Sequence, residues 1–208
     1  MNLFSIFVIS FTIALSGALA PGPVLTTVIY ESLRKGAKSG PLIILGHALL
    51  EICMVAALII GLTNFVNNPR ILKIVSFIGV IILIFFGVKM IVSFPPLSLE
   101  KQSPTSSSSN LPLLGITMSI ANPYWTIWWL TIGLGLLLGA QKEGLIGILI
   151  FFTGHILADL GWYTAVSFIV SRGRKFISAV MYKRIVVACG LTLIGFGIWF
   201  AAHTVNIQ

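Results

Sequence analysis

Long apolar runs alternate with short polar stretches along the chain. Six runs reach the roughly 20 residues that a helix needs to cross a bilayer: about 3–31, 41–66, 71–93, 111–140, 144–171 and 185–204. The first ends in Ala18-Leu19-Ala20, which mimics a signal-peptide cleavage site. A signal peptide starts with basic residues, however, and here no Lys or Arg precedes Arg34. The run is therefore read as a retained helix. Phe94 to Pro112, with Ser-Pro-Thr-Ser-Ser-Ser-Ser-Asn at 103–110, reads as a flexible linker. It divides the chain into a first half at 1–93, the linker at 94–110 and a second half at 111–208, with three helices in each half.

Polar positions inside the apolar runs recur. Gly46-His47-x-x-x-Glu51 and Gly154-His155-x-x-x-Asp159 stand 108 residues apart. Leu83-Ile84-Phe85-Phe86-Gly87 matches Leu193-Ile194-Gly195-Phe196-Gly197 at an offset of 110. The first helix of each half carries a proline break, Ala20-Pro21-Gly22-Pro23 in one and Ala121-Asn122-Pro123-Tyr124 in the other. Three landmarks thus recur in one order. An odd number of spans per copy makes the second copy enter the membrane from the opposite side. The expected fold is all-α and integral to the membrane: six helices as two inverted three-helix repeats, the first helix of each broken at proline.

Composition agrees. The chain is 57% hydrophobic and 9% charged, with mean hydropathy +1.05, against about a quarter charged for a soluble domain. The net charge of +8 is confined to segments between the runs, so it reports topology rather than nucleic-acid binding. Arg34, Lys35, Lys38, Lys89, Lys101, Arg172, Arg174, Lys175, Lys183 and Arg184 fall on one side, and Arg70, Lys73 and Lys142 on the other. The richer side is cytoplasmic, which puts both termini outside. Cys53 and Cys189 lie in different runs and read as packing residues rather than a disulfide or metal framework.

Proline lacks an N–H and clashes with the preceding turn, so Pro21, Gly22 and Pro23 should interrupt the first helix, and Asn122-Pro123 the fourth less severely. Backbone freed at membrane depth must find partners or line a wet cavity, and a helix that restarts points N–H groups at the gap, which suits an anion. These breaks, with Tyr124 and Trp125 beside the second, are the candidate substrate-binding residues. Trp125, Trp128 and Trp129 either wall a cavity or pack.

Glu51 and Asp159 are the acids deep inside apolar runs, where an ionised carboxylate costs roughly 3 kcal/mol even on lenient scales. Each has a histidine four residues earlier, on the same helix face. Three readings stay open: a protonatable centre of Glu51, Asp159, His47 and His155 for proton coupling; ligation of a divalent ion; or hydrogen-bonded pairs between helices. Gly46 and Gly154 suit close helix approach, and Gly135-x-x-x-Gly139 suits either the same or a homodimer contact. No nucleophile–base set, phosphate loop or Cys-based zinc signature is present, which argues against an enzyme and against a bound cofactor.

A six-helix chain with Ala-Pro-Gly-Pro at 20–23, Arg34-Lys35-Gly36-Ala37-Lys38-Ser39-Gly40 leading into Gly46-His47, and Asn122-Pro123 opening its second half resembles the LysE/RhtB family of amino-acid exporters. The resemblance covers essentially the whole chain and implies a multi-pass protein of the prokaryotic cytoplasmic membrane. It implies export of amino acids or similar small metabolites, driven by the proton gradient. The same superfamily includes metal exporters, so a divalent-cation exporter is the alternative. The family-type positions carried over are Pro21, Gly22, Pro23, Gly46, His47, Glu51, Asn122, Pro123, Gly154, His155 and Asp159.

Overall fold

The computed structural model describes residues 2–19, 22–61, 69–92, 110–176 and 178–204. Asn2 starts α1 (Leu3–Ala18), its side chain accepting the Ser5 N–H at 2.8 Å. After a break come α2 (Pro23–Lys35) and α3 (Ser39–Ile59), joined by a turn in which Gly36 adopts φ +90°. Helix α4 (Pro69–Val92) completes the first half. The second half opens with α5 (Leu111–Ile120), capped by the Asn110 side chain. Then follow α6 (Pro123–Trp128), one π-helical turn (Trp129–Gly133) and α7 (Leu134–Gln141). Helix α8 (Gly144–Gly173) runs into a 3-10 turn (Arg174–Phe176), and α9 is Ala179–Thr204. The predicted linker at 94–110, apart from Asn110, lies outside the described residues.

Ser39–Ile59, Gly144–Phe176 and Val180–Trp199 are each long and apolar enough to cross a membrane. So are two bent pairs, α1 with α2 and α5 with Tyr124–Gln141, if each counts as one span. The remaining expected run coincides with α4, whose apolar part among the described residues is Val80–Val92.

Both breaks have one local cause. A proline pushes the residue before it out of the helical region. Gly22, before Pro23, is extended at φ −149°, ψ −179°, and Asn122, before Pro123, sits at φ −99°, ψ 98°. The bends are 71° and 70°. The second is therefore as sharp as the first, against the gentler kink expected. Asn122 explains the difference: its Oδ1 accepts the Tyr124 N–H at 3.2 Å, so the chain stops and restarts with a cap instead of bending through.

Helix α1 packs on α8, α5 on α3, α4 on α9, and α3 on α8. The α4–α9 contact is antiparallel and reciprocal. A Cβ on Gly87 would meet Ile194 and Gly190, and one on Gly197 would meet Ile84 and Val80. A Cβ on Gly135 or Gly139 would meet nothing within 4 Å, so among the described residues no helix packs closely on that pair. Buried and exposed residues are distributed as lipid requires. Glu51, His155 and several hydroxyls are buried, whereas Leu49, Ile52, Phe85 and Leu149 point outward.

The two ends of the bundle differ. Where α2 ends and α3 begins, Ser167 Oγ accepts from Ser32 Oγ (2.8 Å) and the Gly40 N–H (3.0 Å), and donates to the Ala37 carbonyl (2.9 Å). Glu31 is buried beside this clasp, and Arg34 at 3.4 Å and Lys35 at 3.3 Å neutralise it. At the other end Ile6, Val55, Leu58, Leu137 and Phe151 form an apolar cluster with Trp128 and Trp129.

Candidate functional site

Helices α3 and α8 turn their His-x-x-x-acid faces toward each other. His47 Nε2 lies 3.0 Å from Glu51 Oε1 on its own helix and 3.5 Å from Asp159 Oδ2 on the other. His155 Nε2 lies 3.6 Å from Asp159 Oδ2 on its own helix and 3.1 Å from Glu51 Oε1 on the other. Each histidine therefore bridges the acids of both halves. All four side chains are buried. Asp159 is one methylene shorter than Glu51, and its two contacts are correspondingly longer.

Glu51 Oε1 is the hub of the cluster. Besides the two histidines it accepts the indole N–H of Trp129 at 3.1 Å and of Trp125 at 3.3 Å. Oε2 has no hydrogen-bond partner among the described residues. Trp129 begins the π-helical turn, and such turns are common at functional sites. Gly133 makes room there: a Cβ would come within 2.8 Å of the Trp129 ring and 2.9 Å of the Trp128 ring.

The histidines differ at their second nitrogen. Ser119 Oγ donates its one proton to the Gly115 carbonyl at 2.7 Å, so it accepts from His47 Nδ1 at 2.6 Å. The proton on Nδ1 of His47 is thereby assigned by the network. His155 Nδ1 has no partner among the described residues. Its ring lies against both those of Trp128 and Trp129, at 4.9 and 5.1 Å.

A cavity of about 350 Å³ adjoins the cluster. Gly22 and Pro23 from the first break line it, as do Asn122, Tyr124 and Trp125 from the second, and His47, Glu51, His155 and Asp159. Pro21 lies outside the described residues, and of Pro123 only the backbone, which opens α6, is described. Gly46 and Gly154 do not line the cavity. A Cβ on Gly46 would fall on the Pro112 carbonyl of α5, and one on Gly154 would lie 2.8 Å from the Phe7 carbonyl of α1. Trp128 and Trp129, left open between wall and packing, do both: they line the cavity and are buried in the apolar cluster. Sequence reasoning missed Ser119, Tyr163, Phe196 and Trp199. The repeat offset pointed to the stretch holding Phe196, but nothing showed that α9 turns it inward.

One nitrogen of His47 and one oxygen each of Glu51 and Asp159 lie within 4.8 Å of one another, a donor set that also suits a divalent cation.

The family model of the LysE type translocator matches residues 15–204. The chain belongs to this family. No curated protein and no solved structure matches it. The match in this LysE-type translocator begins within α1, ahead of the first break, and runs to the end of α9. Both breaks and both His-acid pairs therefore lie inside it. The protein is a multi-pass membrane translocator.

Proposed function

We propose that this LysE-type translocator exports amino acids or similar small metabolites across the cytoplasmic membrane in exchange for protons. Its halves act as inverted repeats that rock about a midplane cavity. The observation that carries this reading is that one cavity is lined at once by both helix breaks and by the whole His–acid cluster. The repeat reading is supported by the matched packing, α1 on α8 as α5 on α3, and by the crossed glycine contacts of α4 with α9. The charge bias of the loops supports a cytoplasmic linker and termini outside.

The parts divide the work. Helix α2 restarts at Gly22 with no side-chain cap, so its first-turn N–H groups are the seat for a substrate carboxylate. Asn122 already caps α6, which leaves that break the role of wall and hinge. Asp159, with the looser contacts of the two acids, meets the substrate ammonium. Glu51 and the two histidines hold the exchanged proton.

Reconstituted protein in liposomes tests this. Glu51→Gln is expected to cut efflux driven by a pH gradient by at least tenfold while amino-acid exchange without a gradient continues. Gradient-driven efflux surviving both Glu51→Gln and Asp159→Asn sinks the proton role. A second reading, divalent-cation export, is favoured by the three-residue donor set. Against it, two indole N–H groups already occupy Glu51 Oε1. Zinc or cadmium flux without amino-acid flux would decide for it.

A further inference from the structure

The cavity wall away from the cluster bears on the side chain of the substrate. We propose that the cavity is built for an amino acid with a large apolar side chain, aliphatic or aromatic, that carries no charge of its own. This rests on the amino-acid reading above and narrows it.

Beyond the His–acid cluster and the breaks, the wall is rich in rings. Trp125 and Trp128 come from α6, Tyr163 from α8, and Phe196 and Trp199 from α9. Helix α1 contributes only Ala14, Gly17 and Ala18, which keeps the space beside the rings open. A Cβ on Gly17 would already lie 3.7 Å from Trp128 Nε1.

Charge then selects the class. Among the described residues, the acids and histidines on the wall all sit in the one cluster, and no Lys or Arg lines it. Glu51 Oε1 already receives four nitrogens. Asp159 Oδ2 has contacts at 3.5 and 3.6 Å and can take one ammonium. A basic amino acid brings a second cation, for which the other acid on the described wall is Glu51, its Oε1 crowded by four nitrogens and its Oε2 buried, and aromatic faces return only part of the hydration that cation gives up. An acidic one brings a second carboxylate, and the histidines that could meet it already turn Nε2 to Glu51 and Asp159. An apolar side chain surrenders no hydrogen bonds and gains contact with the rings. A small one leaves the ring-lined space unfilled.

The full chain, reconstituted in liposomes, is assayed for exchange of labelled phenylalanine, leucine, alanine, serine, lysine and glutamate in turn. Phenylalanine and leucine are expected to exchange with kcat/KM at least about tenfold above serine, lysine and glutamate. Trp199→Ala is expected to raise the KM for phenylalanine about tenfold and that for alanine by less than about twofold, with Trp199→Phe in between. A preference for lysine or glutamate overturns the proposal and leaves the amino-acid reading standing. Equal weakening of every substrate by Trp199→Ala, in protein that melts like wild type, also overturns it. If no amino acid exchanges in folded protein, the amino-acid reading falls and the proposal falls with it.

Discussion

His155 on α8 reaches across to Glu51 on α3, with Nε2 3.1 Å from Oε1, while Glu51 is also met at 3.0 Å by the histidine of its own helix. The contact ties the two halves of the chain at their most polar point. Both residues are buried, so removing either takes one polar partner from the other inside the bundle, Glu51 keeping His47 and two indoles and His155 keeping Asp159.

Coupling across that contact is measurable. In a double-mutant cycle of His155→Ala and Glu51→Ala, the interaction energy in thermal or denaturant unfolding is expected to be about 1–3 kcal/mol. The same cycle between His155 and the outward-facing Phe85 should give about 0–0.5 kcal/mol. Equal values in the two cycles would show that the contact contributes nothing specific.

Ser119 predicts an asymmetry between the histidines. Because its hydroxyl accepts from His47 Nδ1, nitrogen-15 NMR should find the Nδ1 of His47 protonated in wild type. Ser119→Ala should redistribute that proton and destabilise the protein by about 1–3 kcal/mol, while Ser119→Thr retains it. An unchanged His47 spectrum in Ser119→Ala would refute the assignment.

Glycine substitutions should separate by contact. Gly46→Ala places a methyl on the Pro112 carbonyl, and Gly154→Ala places one against that of Phe7. Backbone cannot yield cheaply, so each should lose about 1–3 kcal/mol of stability in detergent. Gly135→Ala meets no neighbour and should be neutral or gain up to about 1 kcal/mol from helix propensity. Comparative melting curves of the three variants check this.

Much of this arrangement is legible in the chain because membrane helices restrict what polar residues can do. A carboxylate inside an apolar run is conspicuous, and a histidine four residues before it shares its face by helical geometry alone. A proline fixes the residue ahead of it, so the positions of both breaks follow from Pro23 and Pro123. What escapes is whatever depends on a partner far along the chain. Ser119 is an ordinary membrane serine until α5 is laid against α3, 72 residues from its partner His47. Phe196 and Trp199 look like any apolar residues until the crossing of α9 turns them to the cavity. The burial of Glu31 is likewise hidden in the sequence, because α2 is covered by α8 and α9, not by its own segment. The sharpness of the second break lay in the side chain of Asn122, which proline statistics do not register.

The unlike ends of the bundle have a thermodynamic consequence. Water can replace every bond that Ser167 makes, so parting the clasp to the solvent exchanges like for like. Parting Ile6, Val55, Leu58 and Phe151 wets apolar surface, a penalty that shrinks on cooling. In the proposed rocking cycle these ends are the two doors, and temperature alone should tilt which one stands open: cold loosens the greasy door and leaves the hydroxyl latch almost indifferent.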